Sequence, residues 1–172
     1  AYIQPAEAAD TILFVERGNK KIREVTYTYT SERYIAPDLN ILSEDITGDG
    51  ITSIAWSERP DPVLYCIRED GALLTLTYNP HYGIESWAVD TTGPSASDDF
   101  ESVAKMSGEA QDEIWTAVGR SIDSTDVIYI EKFADLDFGD QEDMWFVDSG
   151  GTDPNDIDHL EAETVYVLAD GA

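Results

Sequence analysis

The chain is short of positive charge: 10 lysines and arginines stand against 36 aspartates and glutamates, a formal net charge of −26 over 172 residues. So negative a surface repels phosphate backbones and anionic headgroups, which argues against nucleic-acid binding and against docking on a membrane surface. Two readings of the acidity remain compatible. It suits salty surroundings, where self-repulsion is screened, and it suits a surface that DNA must pass without sticking. The single cysteine, Cys66, excludes a disulfide framework; its place in the apolar run Val63-Leu-Tyr-Cys-Ile67 predicts a buried, inert thiol. No run reaches the roughly 18 apolar residues of a membrane span, so no membrane insertion is expected. No basic segment followed by an apolar one opens the chain.

Catalytic signatures are scarce too. The two histidines, His81 in a hairpin loop and His159 in Asp158-His-Leu-Glu161, lie far from each other and from Cys66, too sparse for a zinc site. There is no Gly-x-Ser-x-Gly and no glycine-rich loop opening a helix. Among so many acids nothing singles out a carboxylate pair for glycoside hydrolysis. The reading is a chain that is not an enzyme, with no catalytic, cofactor-binding or metal-ligating residue assigned and no cofactor.

What is present is self-similarity. Ile12-Leu-Phe-Val-Glu-Arg-Gly-Asn19, Val63-Leu-Tyr-Cys-Ile-Arg-Glu-Asp70 and Ile114-Trp-Thr-Ala-Val-Gly-Arg-Ser121 start 51 residues apart, and so do Tyr27, Tyr78 and Tyr129 near the ends of the following runs. Polar turn-forming stretches join each pair of runs: Arg17 to Lys20, Glu69-Asp70-Gly71, and Asp123 to Asp126. Asp-Gly between apolar runs is a strong hairpin signal. Further strands are expected at Ile51 to Trp56, Gly83 to Asp90 and Phe100 to Met106. Four short antiparallel strands in about fifty residues match a β-propeller blade, and blades must stack to bury their faces. The fold expected is all-β, a partial propeller-like stack of antiparallel hairpin repeats with a 51-residue period.

Between repeats, Gln4-Pro5-Ala6 reads as a loop, and Ser31 to Gly50 as irregular with a short helix over Asp38 to Ser43. Residues 1–148 are read as the propeller-like region of about three blades, and 149–172 as a linker and the start of a second, truncated β domain opening at Thr164. Both ends are expected to be cut from a longer polypeptide, or processed.

Several residues bear weighing. Asp45-Ile-Thr-Gly-Asp49-Gly50 resembles a calcium loop but lacks the alternate ligands and distal Glu, so a tight turn before a strand is the preferred reading. Asp148, Asp153, Asp156 and Asp158 read as a solvated acidic loop. Trp56 and Trp115 read as packing residues, whereas Trp87 and Trp145 leave room for a glycan-stacking role.

A set of phrases running in order from Asp10 to Gly171 carries a family resemblance. They include Ile12-Leu-Phe-Val-Glu-Arg-Gly, Asp38-Leu-Asn-Ile-Leu-Ser-Glu, Gly50-Ile-Thr-Ser-Ile-Ala-Trp, Arg68-Glu-Asp-Gly-Ala-Leu-Leu-Thr-Leu-Thr-Tyr, Gly83-Ile-Glu-Ser-Trp, Ile114-Trp-Thr-Ala-Val-Gly-Arg-Ser-Ile and Asp158-His-Leu-Glu-Ala-Glu-Thr-Val. Together they resemble the tail nozzle (tail tubular protein B-like) family of short-tailed bacteriophages. Ser57-Glu-Arg-Pro60, the loop from Gly150, and Ala162 depart from that pattern locally. The resemblance implies a virion component of the phage tail with a propeller-like region. It implies a structural part of the DNA-ejection conduit, without catalysis, that closes a ring (a hexamer) with other tail and adaptor proteins while DNA only passes. It supplies no catalytic residues. On charge, the candidates for a DNA-repelling surface are Asp98, Asp99, Glu101, Asp135, Asp137, Asp140, Glu142 and Asp143. The alternative is a glycan- or receptor-binding β-propeller module.

Overall fold

A computed structural model describes residues 3–8, 11–30, 32–92, 99–122 and 125–133. Among these the chain is all-β: eleven strands and no helix. Every sheet is antiparallel and follows chain order. Sheet 1 comprises β1 (Ala6–Ala8), β2 (Thr11–Val15), β3 (Ile22–Thr28) and β4 (Arg33–Ile35). Sheet 2 comprises β5 (Ile51–Ser57), β6 (Val63–Arg68), β7 (Leu73–Asn79) and β8 (Ile84–Asp90). Sheet 3 comprises β9 (Asp99–Ser107), β10 (Asp112–Ile122) and β11 (Thr125–Lys132).

The sheets stack in the order they are made. Strand side chains alternate between faces, and in sheet 2 both faces are covered. Leu64, Cys66, Leu74, Leu76, Tyr78 and Trp56 join Ala8, Leu13 and Ile22 of sheet 1 in one core. Ala55, Ile67 and Leu73 point the other way, onto Val103 and Ile114 of sheet 3, with Phe100 and Phe133 packed alongside. A bulge helps β5 serve both. Ile51 pairs with Arg68 and Ser53 with Ile67, so Thr52 is the extra residue, and Ile51 and Ile54 both reach the first core.

The Asp70-Gly71 turn also fastens two sheets. Gly71 has φ of +81°, where a side chain is strained, and an added Cβ would collide with the Asp99 carboxylate. That closeness lets the Phe100 N–H donate to the Gly71 carbonyl at 2.9 Å, which starts β9 against sheet 2.

Several expectations need correction. Gln4-Pro5-Ala6 leads directly into β1, because Ala6–Ala8 pairs with Thr11–Leu13. Within the stretch read as irregular, Arg33–Ile35 pairs with Thr26–Thr28 as β4. Asp38 to Ser43 is not a helix: Asp38 bridges Arg23, residues 39–42 form turns, the Leu39 N–H donates to the Ile22 carbonyl, and the side chain of Asn40 is taken up by β3 and its approach. Thr125 and Asp126, read as turn, lie in β11, paired with Ile122 and Ser121. The hairpins also differ in length. Val15–Ile22, Ile67–Leu73 and Ile122–Thr125 are the last pairs before each turn, so the 51-residue spacing cannot hold on both strands of all three. It does hold for the tyrosines. Tyr27, Tyr78 and Tyr129 each stand on the third strand of their sheet, on the side turned toward the preceding sheet. Tyr78 is buried there against sheet 1, whereas Tyr27 faces outward, ringed edge-on by Tyr29 and Tyr34 at centroid distances of 5.1 Å. The proposed domain 149–172 lies outside the described residues.

Candidate functional site

The sheets approach each other most closely along their first strands. β1 lies against β5, and β5 against β9. Together these three wall a groove of about 840 Å³ lined by Gln4, Glu7, Trp56, Glu58, Ala104 and Lys105 among others. A smaller hollow of about 290 Å³ opens at the end of the seam between sheets 1 and 2, lined by Ala8, Thr11, Pro62, Tyr78, Pro80 and His81 among others. Trp56 and Glu58 border both spaces.

The end of β5 is clamped at this place. Asp112 Oδ2 accepts the N–H groups of Glu58 at 2.8 Å and Arg59 at 3.4 Å, while the Asp112 N–H donates to the Arg59 carbonyl at 3.0 Å. Lys105 Nζ lies 3.4 Å from the same carboxylate. Burial alone would raise Asp112, but those N–H donors and the ammonium outweigh it and hold the carboxyl below the usual range.

Inside the seam, the Tyr78 hydroxyl donates to Glu24 Oε2 at 2.5 Å, with both residues buried. Burial first, then the Glu24 carboxylate, pushes the phenol upward, so it remains a donor. Glu85 is directly across from Tyr78 on β8, and burial, with Asp38 and Glu24 nearby, raises its carboxyl. Asp38 is pulled the other way. Burial opposes the shift, but the Lys21 ammonium at 2.6 Å and the Asn40 N–H lower it overall.

The residues singled out from sequence scatter. Asp99 and Glu101 are exposed on β9, Glu101 as the bulged residue between Phe100 and Ser102, which pair with Val118 and Ala117. Asp98, Asp135, Asp137, Asp140, Glu142 and Asp143 lie outside the described residues, as do Trp145, Asp148, Asp153, Asp156, Asp158 and His159. Asp45 to Gly50 forms two consecutive turns, Gly48 N–H to the Asp45 carbonyl and Gly50 N–H to the Thr47 carbonyl, leading into β5. Asp49 faces Arg68 at 3.8 Å. Among the described residues no three metal-ligating side chains gather. Cys66 is fully buried and its thiol is pushed up by burial. Trp56 is a core residue, and Trp115 is half-buried with its indole N–H donating to Glu113 at 3.2 Å. Trp87 packs on the first core and donates to the Leu39 carbonyl at 3.2 Å, so it is not a free stacking platform.

Sequence reading missed the Tyr78–Glu24 contact and the Trp56–Glu58 border. The first joins residues 54 apart and the second faces strands of other sheets, so no local pattern announces either. No protein-family model matches the chain, and no curated protein does.

Proposed function

We propose that this chain is a wall segment of a short-tailed phage tail nozzle, a non-catalytic structural part of the conduit through which DNA leaves the particle. The observation that carries the reading is the convergence of β1, β5 and β9, the first strand of each sheet, on one groove. A propeller-like array has that geometry: each blade offers its first strand to the axis and its later strands to the rim. The ordered phrases shared with the nozzle family supply the assignment to a virion, and the net charge of −26 supplies a mechanism. A conduit wall with a large carboxylate excess repels the phosphate backbone at every step, so DNA slides without binding. Asp99 and Glu101, exposed on β9, are the described members of that surface. Self-association into a ring, beside other tail and adaptor proteins, completes the channel; heterologous contacts close such a ring.

The test is immunogold labelling of purified short-tailed virions with antibodies raised against this chain. Label confined to the tail tip is expected. Label on the capsid shell, or its absence from virions whose tail proteins are otherwise accounted for, overturns the reading.

A further inference from the structure

Each end of the stack leaves one sheet face open. On sheet 1, Ile12 pairs with Val25 and Tyr27 with Tyr34 on the side away from sheet 2, and Tyr34 is 74% exposed. On sheet 3, Ile128 pairs with Gly119 and Ile130 with Ala117 on the side away from sheet 2, and both isoleucines are 68% exposed. The two cores between the sheets take in neither set. Apolar side chains gathered on one exposed face mark an interaction surface. What fits there follows from how the sheets already stack. Sheet 2 meets sheet 1, and sheet 3 meets sheet 2, with the side of the third strand that carries Tyr78 or Tyr129. The open face of sheet 1 is that same side, with Tyr27 in place. The open face of sheet 3 is the opposite one, the side that sheets 1 and 2 turn toward the sheet that follows them. Among the described residues, then, one end lacks a preceding sheet and the other a following one. Shape agrees, since Ala117 and Gly119 leave room beside the isoleucines for the rings of Tyr27 and Tyr34. Charge agrees too. A net charge of −26 sets one copy against another wherever carboxylates face outward. On these two faces Arg23 is paired with Glu16, and Lys132 with Glu113 at 3.0 Å. Glu7, on an edge strand, and Asp126, beside a turn, lie at the margins.

We propose that copies of this chain stack head to tail, the outer face of sheet 3 in one copy seated on the outer face of sheet 1 in the next. The contact continues between molecules the packing that joins the sheets within one. Two different faces meet, so every copy keeps one of each and growth continues past two. The contact is apolar and the bodies it joins are alike in charge, so salt strengthens it by screening their repulsion. The proposal rests on the stacking of the sheets and not on the nozzle reading. A chain that stays monomeric while its antibodies label tail tips overturns this contact and spares that reading.

The experiment is analytical ultracentrifugation of the whole chain over a range of concentrations, at about 0.05 M and about 0.5 M sodium chloride. The average mass is expected to rise with concentration past that of a dimer, and to rise further at the higher salt. Tyr34→Glu removes one face and Ile130→Glu the other; both residues are exposed, so the monomer keeps its core. Each variant alone should associate about tenfold more weakly than the parent, the loss of one interface anchor. An equal mixture of the two should form a dimer and stop there, because one intact face of each kind remains. Tyr34→Thr and Ile130→Thr repeat the test with strand-forming residues should a glutamate lower the thermal midpoint. A monomer under all conditions, a parent that stops at two, or association that weakens with salt overturns the proposal. So does a single variant that associates as the parent does, or a mixture that forms no dimer.

Discussion

Replacing Tyr78 with phenylalanine removes one oxygen and strands a carboxylate. Glu24 is buried on the inner face of sheet 1, and the Tyr78 hydroxyl is the partner that meets it across the seam at 2.5 Å. Hydrogen bonds to charged groups contribute about 1.5–3 kcal/mol, and a charge left alone in the interior costs its full desolvation. Tyr78→Phe should therefore lower the unfolding free energy in urea by about 2–3 kcal/mol at pH 7. The double change Tyr78→Phe with Glu24→Gln should recover part of the loss, because the stranded charge is gone. A loss below about 0.5 kcal/mol would mean that Glu24 is satisfied elsewhere. Nothing in the sequence marks this pair. Glu24 sits in Ile22-Arg-Glu-Val, where alternation gives it the same side as Ile22, a placement that reads as an exposed acid in an apolar stripe until the second sheet arrives.

At the scale of elements, a single buried amide gathers three of the bonds that hold the connection between sheets 1 and 2. Asn40 accepts the Ile22 N–H at 3.1 Å and donates to the Lys20 carbonyl at 2.9 Å and to Thr47 Oγ1 at 2.6 Å, while only 1% of its surface is exposed. Two or three such bonds at about 1 kcal/mol each make Asn40→Ala a loss of about 2–3 kcal/mol. Amide exchange should accelerate first at Ile22 and through the turns from Ser43 to Gly50; uniform acceleration over all three sheets would contradict this local role. Hairpins were the legible part of the fold. The alternation of Leu74, Leu76 and Tyr78 and the Asp70-Gly71 turn write β6–β7 into the sequence, because their determinants lie within a few residues. β1 and β4, three residues each, are too short to show alternation, and they exist because β2 and β3 offer free edges beside them. Loop length was the hidden variable. Turns of different length change the pairing register while the letter pattern stays at 51 residues, so the periodicity located the hairpins and the facing of the tyrosine strands but not the facing of the strands before the turns.

For the whole molecule, acid and fold pull against each other in two pH windows. Glu85 has a carboxyl raised above its ordinary value, so the folded state takes up that proton more readily than the unfolded chain. As pH falls toward the usual glutamate value of about 4.3, protonation of Glu85 adds stability, and the fading charge excess acts in the same direction. Asp38, Asp70 and Asp112 are lowered: Asp70 first by its hydrogen bond from Arg68, Asp38 and Asp112 by donors that outweigh their burial. Their contributions are complete above the usual aspartate value of about 3.9 and disappear as pH drops through the lower folded values. Thermal midpoints should rise as pH falls from 7 toward the usual glutamate value of about 4.3 and drop once pH passes below the usual aspartate value of about 3.9. Glu85→Gln should reduce the rise, leaving the part due to the charge excess, and keep the acid limb unchanged. A midpoint that climbs continuously toward neutrality in the parent chain would refute the assignment.

Sheet 2 is covered on both faces, whereas sheets 1 and 3 share only one described core each with a neighbour. This makes the molecule resemble a short one-dimensional lattice with nearest-neighbour coupling. The middle unit contributes two coupling energies and the outer units one apiece. Opening then begins at the ends and works inward, as a zipper frays. The tyrosine ladder tracks the same coupling. Tyr78 is the rung covered by another sheet, whereas Tyr27, on the same side of the first sheet, meets only Tyr29 and Tyr34 of its own sheet among the described residues.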